Sequence, residues 1–456
     1  MALDIATGSS DPDRKTAKEG IAAHGEVQIE EMDKLFKKVA FRLIPFLFFC
    51  YVLNYIDRVN ISFAHLQFKD DLGMSDAAYG FGVGIFYVGY ILFEVPSNLL
   101  LRKIGARKTI ARIMVLWGVT SLCMMFVKTP THFYLARVAL GIAEAGFFPG
   151  IVYYLTSWFP DRLRARVMSA FVLGIAVAGI TGGPISGWIL TFADGWYSLH
   201  GWQWLFLLEG LPPVAMGIVA WHFLPDSPSD AKWLTAEERA LLEANSGQKM
   251  TSAGKSVTSH FGSALRNPKL YLCAFGYFTI TWAGSVINFW APGIIRQAGV
   301  QSAWHIGLVS AVPYLLGATV MICASRHSDA KNERVLHFSF LALFSSAGAL
   351  GLGFFHLDFF PAMICLVMVA IGYLSCTAIF WTIPATFLAG TASAGAIAFI
   401  SSVGQIGSLT APIAIGWLTT RTHKVTAGLY LASAVLALGA FCIAYFMRKK
   451  GGPARG

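Results

Sequence analysis

Apolar residues run in blocks of about twenty, separated by short polar or basic turns, and the rhythm recurs along the whole chain. A membrane-crossing helix needs about 20 mostly apolar residues. On that measure twelve spans are expected, at roughly 42–65, 77–101, 108–127, 132–157, 166–191 and 203–224, then 270–291, 305–325, 335–354, 361–387, 395–419 and 427–447. A polar stretch of about 45 residues, opening "PDSPSDAKWLTAEERALLEANSGQKM", separates the sixth span from the seventh. No period-two alternation dominates, so a membrane barrel is not expected. The pattern predicts an all-α membrane protein of twelve transmembrane helices in two six-helix bundles. Its segments are a tail over 1–41, a first bundle over 42–224, a linker over 225–269, a second bundle over 270–447 and a tail over 448–456.

Loop charges give the orientation, because Lys and Arg accumulate in cytoplasmic loops. Loop 2–3 carries Arg102, Lys103, Arg107 and Lys108; loop 4–5 carries Arg162, Arg164 and Arg166; loop 8–9 carries Arg326, Lys331 and Arg334. The alternate loops are poorer. Both termini, the linker and these basic loops are therefore expected in the cytoplasm, with the chain in the plasma (inner) membrane. The first 38 residues lack the short apolar core of a secretory signal, and Val27 to Lys38 is expected to form a short amphipathic helix on the cytoplasmic surface.

Composition sharpens the class. Hydrophobic residues are 55% of the 456, and charged residues only 13%, against roughly 25% in soluble domains. The formal net charge of +10 then belongs to cytoplasmic loops, and nucleic acid is not expected as a partner. All seven cysteines fall in apolar stretches and none forms a C-x-x-C pair, so they read as free small hydrophobes. There is no zinc spacing and no phosphate-binding loop. An enzyme, a cofactor and a resident metal are not expected.

Ionisable residues inside spans are costly and mark functional positions. They are Asp57 and Arg58 in helix 1, Glu94 in helix 2, Arg137 and Glu144 in helix 4, and Glu209 in helix 6. The last six helices hold no Asp, Glu, Lys or Arg well inside a span. Charge recognition and proton handling are therefore expected in the first bundle. Arg137 and Glu144, seven residues apart, share a face about 10 Å apart along the axis. Asp57 and Arg58 diverge by about 100°, so one can address a cavity while the other addresses a neighbouring helix; the sequence leaves open which. The planar fork of Arg suits a carboxylate, and Arg58 and Arg137 are the candidates. Desolvation favours the neutral form of an acid there, and a neighbouring Arg favours the charged form. Protonating Asp57 and Glu144 would free Arg to hold an anion. Glu94, beside Pro96, and Glu209, in the aromatic "WQWLFLLEG", read as structural.

The loops "LRKIGARK" (101–108) and "RHSDAKNER" (326–334) follow helices 2 and 8, about half a chain apart, and secondary transporters are commonly built from such repeats. Both resemble the loop motif G-x-x-x-D-[RK]-x-G-[RK]-[RK] of the major facilitator superfamily. The first copy keeps Gly105, Arg107 and Lys108 but has Arg102 where the acid is usual; the second keeps Asp329 and Arg334 but has Asn332 at the second glycine. Longer strings, among them "NYIDRVNISFA", "FEVPSNLLLRKIGAR", "ARVALGIAEAGFFPGI", "GWQWLFLLEGLP" and "AIFWTIP", resemble the anion:cation symporter branch. They look most like its tartrate, phthalate and 4-hydroxyphenylacetate permeases. The resemblance implies a central cavity, alternating access, gating loops at the residues just named, and uptake of an organic carboxylate with protons. The branch's proton-handling acids match Asp57 and Glu144, and its substrate-facing positions match Tyr55 and Tyr90.

Neutral candidates complete the lining: Asn288 in helix 7, Trp381 and Thr382 in helix 10, and Ser401 and Gln405 in helix 11. The middle of helix 5, "FVLGIAVAGI", has no polar side chain, which suits a compact or aromatic carboxylate better than a polyol. Glycines 174, 179, 182 and 183 there read as close-packing positions. The expected protein is a monomer driven by a proton gradient. An exporter of the same fold, or a carboxylate sensor that does not transport, remain the rival readings.

Overall fold

The computed structural model describes residues 12–245, 265–385 and 392–448. Among them, twelve helical stretches are long and apolar enough to cross a membrane. Spans 1 to 6 are Glu31–Asp71, Asp76–Leu101, Ala106–Phe126, Pro130–Thr156, Leu173–Phe192 and Gly201–Phe223. Spans 7 to 12 are Pro268–Gln297, Ala303–Lys331, Val335–Phe355, Phe359–Pro384, Gly395–Thr422 and Thr426–Met447.

The expected surface helix over Val27 to Lys38 is not separate. One helix runs from Pro12 to Asp71, because no Gly or Pro interrupts the chain between Val27 and Ile44. Leu35, Phe36 and Val39 are buried, and the Phe36 ring lies 6.2 Å from that of Phe159. The cysteines are free, although Cys123 and Cys323 are exposed on the helix surface rather than buried.

The two halves pack alike. Span 1 lies on spans 5 and 6, span 2 on span 4, and span 3 on spans 4 and 6. Spans 7, 8 and 9 repeat this with spans 11 and 12, span 10, and spans 10 and 12. The halves meet through spans 5 and 8, through spans 2 and 11, and through spans 1 and 7. Exchanging the halves maps the first two of these contacts onto each other.

Small residues allow the approach. In a bilayer, helices associate by close packing and not by excluding water. A Cβ on Gly307 would stand 2.3 Å from the Gly183 carbonyl oxygen, and one on Gly80 2.2 Å from that of Pro412. Gly179 and Gly183 thus serve contact with span 8, and Gly174 and Gly182 contact with span 1. The bonds between halves gather toward the face opposite the linker, here the far face. The Ala77 N–H donates to Thr420 Oγ1 at 2.8 Å and the Tyr79 hydroxyl to the Phe289 carbonyl at 3.0 Å. Arg296 Nη1 donates to the Leu66 carbonyl. The molecule is closed on that face.

The linker begins as part of the first half. Trp233 stacks on Trp158, with ring centroids 6.0 Å apart, and the Arg42 guanidinium lies over it at 5.2 Å. The linker helix Ala236–Asn245 is tied to the extension of span 1 by Lys38 and Glu238 at 2.7 Å.

Candidate functional site

Two helix irregularities shape the centre. Span 4 breaks after Glu144: Ala145 leaves helical geometry and Gly146 takes φ +87°. A side chain at 146 would be strained there, and it would also meet Ser97 Oγ at 2.6 Å. Glu144 therefore sits at a helix C-terminus inside the membrane. In span 7, Val286–Trp290 is a π-helical turn. Pro292 has no N–H to return to the Asn288 carbonyl, which removes one α-helical bond and lets the turn widen. The widened turn buries Asn288 at the bundle interface.

The charged centre is built from spans 1, 2 and 4. Arg58 Nη2 bonds Glu144 Oε1. The Arg58 guanidinium also lies over the rings of Phe86 at 5.6 Å and Tyr90 at 5.5 Å. Arg137 is fully buried, covers the Phe86 ring at 4.8 Å and donates from Nε to the Gly82 carbonyl at 3.3 Å. Arg58 Nε, Arg137 Nη2 and Glu144 Oε2 meet no protein partner among the described residues. Two arginines thus flank one aromatic ring with donors to spare. An unmatched buried charge is expensive, and a compact anion would offset it.

Asp57 points elsewhere. It accepts from Trp117 Nε1 at 2.8 Å and from the Ser121 hydroxyl, both on span 3, and from Asn60 Nδ2 at 3.2 Å. So Arg58 addresses the bundle interface, while Asp57 addresses the interior of the first half. Arg58 has the expected partner on span 4. The partners of Asp57 on span 3 were not anticipated, since neutral Trp117 and Ser121 carry no signal in a single sequence.

A neutral cluster lies one helical turn from Arg58. The hydroxyls of Tyr55 and Tyr373 are hydrogen-bonded across the halves. Asn288 Nδ2 donates to Tyr55 at 3.3 Å, and the Tyr314 hydroxyl donates to Asn288 Oδ1 at 2.6 Å. Sequence reasoning named Tyr55 and Asn288 and missed Tyr314 and Tyr373, two tyrosines among fifteen. Trp381 packs on Tyr277 at 4.9 Å, about 12 Å of helix rise beyond Tyr373. The Thr382 hydroxyl donates to the Ile379 carbonyl at 2.6 Å, and the residue is exposed. Ser401 and Gln405 are half-buried on span 11. These four lie outside the hydrogen-bonded cluster.

The two basic loops expected to gate differ from one another. Gly105 has φ +93°, and the space beside it is taken by Asp226, 2.5 Å from where a Cβ would stand. Asp226 accepts the Arg107 N–H at 2.9 Å and faces Arg107 Nε at 3.4 Å. The acid missing from the first loop is thus supplied by the linker, a residue the loop motif could not reveal. Lys108 is exposed. In the second loop Arg334 pairs with Asp329 at 2.5 Å. Asn332 takes φ 48°, a left-handed position that Asn tolerates in place of Gly.

Glu209 is not in an aromatic belt. Trp202 and Trp204 hold the far-face end of span 6, and Glu209 lies one and a half turns deeper, buried, accepting from the Ser186 hydroxyl at 2.8 Å. Glu94 is half-buried on span 2.

Twelve spans in two like-packed bundles around a buried arginine–carboxylate pair define a multi-pass membrane carrier. The chain belongs to the major facilitator superfamily, whose family model matches residues 47–394. It is 40% identical over 409 residues to the metabolite transport protein NicT of Pseudomonas putida, covering 90% of this chain and 93% of that one. A protein of Agrobacterium vitis that carries the name of a tartrate transporter is 41% identical over 408 residues, covering 89% and 90%. The quinolone resistance transporter of Acinetobacter baumannii is 40% identical over 403 residues, covering 88% and 92%. Among solved structures, a bacterial homologue of the human lysosomal transporter Spinster superposes with TM-score 0.71 at 15% identity, over 88% of this chain and 95% of that one. A D-xylose–proton symporter superposes with TM-score 0.70 at 16% identity, over 89% and 97%. The protein is a transporter of a small molecule and not an enzyme.

Proposed function

We propose that this transporter imports a small organic carboxylate together with protons, by alternating access. One observation carries the reading: the interface-facing cation, Arg58, is bonded to an acid, Glu144, that a single proton would neutralise. A substrate carboxylate and the Glu144 carboxylate compete for the same guanidinium. When Glu144 takes a proton, Arg58 is released to the substrate, and Arg137 adds its free donor from the other side of Phe86. Tyr55, Tyr90 and Asn288 orient the rest of the molecule, with Trp381, Thr382, Ser401 and Gln405 as outer contacts. Asp57 is the second proton-coupling acid. Gly105, Arg107 and Lys108, with Asp329 and Arg334, form the gating loops on the linker face.

The relative named for tartrate transport supports tartrate as the first compound to try; phthalate and 4-hydroxyphenylacetate come from the resemblance to their permeases, and the apolar run 171–180 suits them. The loop charges support a reading with both termini in the cytoplasm, and in this reading the protein works as a monomer in the inner membrane. The quinolone resistance relative favours a second reading, export by the same fold.

Reconstitution into liposomes separates the two. An imposed proton gradient should drive accumulation of labelled tartrate, phthalate or 4-hydroxyphenylacetate, and Glu144→Gln should abolish accumulation while sparing exchange of internal for external substrate. Undiminished accumulation by that variant would sink the coupling role, and outward flux of a quinolone against the gradient would establish export.

A further inference from the structure

Among the described residues of the first half, Glu209 is the one buried carboxylate that this mechanism leaves idle. It is 7% exposed. Its Oε1 accepts from Ser186 on span 5, and its Oε2 meets no protein partner among the described residues. No Lys, Arg or His stands within ion-pair distance of it among the described residues. A tight crossing holds it there: a Cβ on Gly118 of span 3 would lie 2.9 Å from the carbonyl oxygen of Gly210, the residue next to Glu209. Among the described residues, Asp57 on span 1 is its titratable neighbour. Span 5 contributes the neutral Ser186, and span 3 contributes Trp117 and Ser121, both bonded to Asp57.

Asn60 connects the two acids. Its Nδ2 donates to Asp57 Oδ1 at 3.2 Å, and it shares a cavity with Ser186, the partner of Glu209. That cavity, of about 20 Å³, lies between spans 1, 5, 7 and 8, space for about one water. The depths are ordered. Counting from the far-face ends of their helices at about 1.5 Å per residue, Glu209 lies about 12 Å in, Asn60 about 17 Å and Asp57 about 21 Å.

We propose that Glu209 is the entry acid of a proton route from the far face to Asp57, with Asn60 as the switch between them. This rests on the reading of Asp57 as a proton-coupling acid. A proton from the far face binds Glu209 at Oε2. On transfer, the Glu209 O–H bond breaks and an O–H bond forms at Asp57 Oδ1, the oxygen that Asn60 leaves as its amide turns to the Glu209 carboxylate. Charge moves from Asp57 to Glu209, and the amide donor moves with it. Asp57 therefore never faces bulk solvent, in agreement with its complete burial.

Two measurements test the route on the full-length protein. Infrared difference titration of the purified transporter reads the C=O stretch of neutral carboxyls and needs no substrate. Glu209→Gln should remove one titrating band and shift the band assigned by its loss in Asp57→Asn. A Glu209→Gln titration superimposable on that of the wild type overturns the proposal. In liposomes, proton-driven uptake of labelled tartrate should slow at least tenfold in Glu209→Gln, recover in Glu209→Asp, and leave tartrate exchange unchanged. Equal slowing of exchange would mark a merely structural role and also overturns it. If wild-type liposomes show no proton-driven uptake at all, the coupling reading fails, and the infrared outcome still decides whether Glu209 and Asp57 exchange a proton.

Discussion

The two halves share one packing plan and divide the chemistry unequally. Spans 1 to 6 bury Asp57, Arg137, Glu144 and Glu209 and half-bury Arg58. Spans 7 to 12 bury only neutral polar groups, such as Thr279, Asn288, Ser345 and Ser375. Where span 1 of the first half places Arg58 against an acid, span 7 of the second places Asn288 against tyrosines. Ser346 and Ser433, on spans 9 and 12, close a reciprocal pair of hydrogen bonds at 2.8 and 2.9 Å with no charge involved. The repeat therefore specifies how helices cross, and only the side chains of one copy add buried charge. The linker belongs to the charged half as well, through Asp226, Trp233 and Glu238. In the proposed mechanism, a division of this kind would let the second half move over the site without carrying charges through the bilayer, where each would cost several kcal/mol.

The largest effect that would test this division comes from Arg58. Arg58→Gln removes charge-assisted bonds worth about 1.5–3 kcal/mol each, so tartrate affinity measured by calorimetry should fall about 10- to 100-fold or more. Unchanged affinity would shift recognition to Arg137 and leave Arg58 a helix tie. Next is the contact between halves. Gly307→Leu places a side chain where Gly183 now touches, so the far face should no longer close. A cysteine at Ser310, lining the cavity, should then react several-fold faster with an impermeant reagent in a cysteine-free background; an unaltered rate would mean that the halves close elsewhere.

Smaller effects belong to the neutral half. Tyr373→Phe loses one hydrogen bond, about 0.5–1.5 kcal/mol, and affinity should drop about 2- to 10-fold. Tyr55→Phe should do the same, and the double variant should cost less than the sum because the two hydroxyls share the bond. Independent, additive losses would show that each tyrosine meets substrate separately. The smallest change is expected from Ser346→Ala, about 1 kcal/mol of stability by thermal melting, with uptake unaltered. A transport defect there would mean that the second half contributes more than a scaffold.

Much of this was legible in the chain. Span number, helix class and the confinement of charge to the first half follow from hydropathy, since a bilayer tolerates no other arrangement of so many apolar blocks. Arg58, Arg137 and Glu144 were legible as a group because they are charges inside membrane spans; that it is Arg58 that pairs with Glu144 was not. Less visible were contacts made by neutral or distant residues. Trp117 and Ser121 hold Asp57, Tyr314 and Tyr373 complete the central cluster, and Asp226 replaces an acid absent from its own loop. The surroundings of Glu209 were not legible, because its aromatic neighbours in sequence are not its partners in space.

Hydropathy along the chain dictates which segments enter the membrane and which few charges they carry with them. Where those charges point came from the packing of the helices. A helix fixes the angle between Asp57 and Arg58, but its rotation is set by packing against spans 5 and 6, and that packing turned Arg58 to Glu144 on span 4 and Asp57 to Trp117 and Ser121 on span 3.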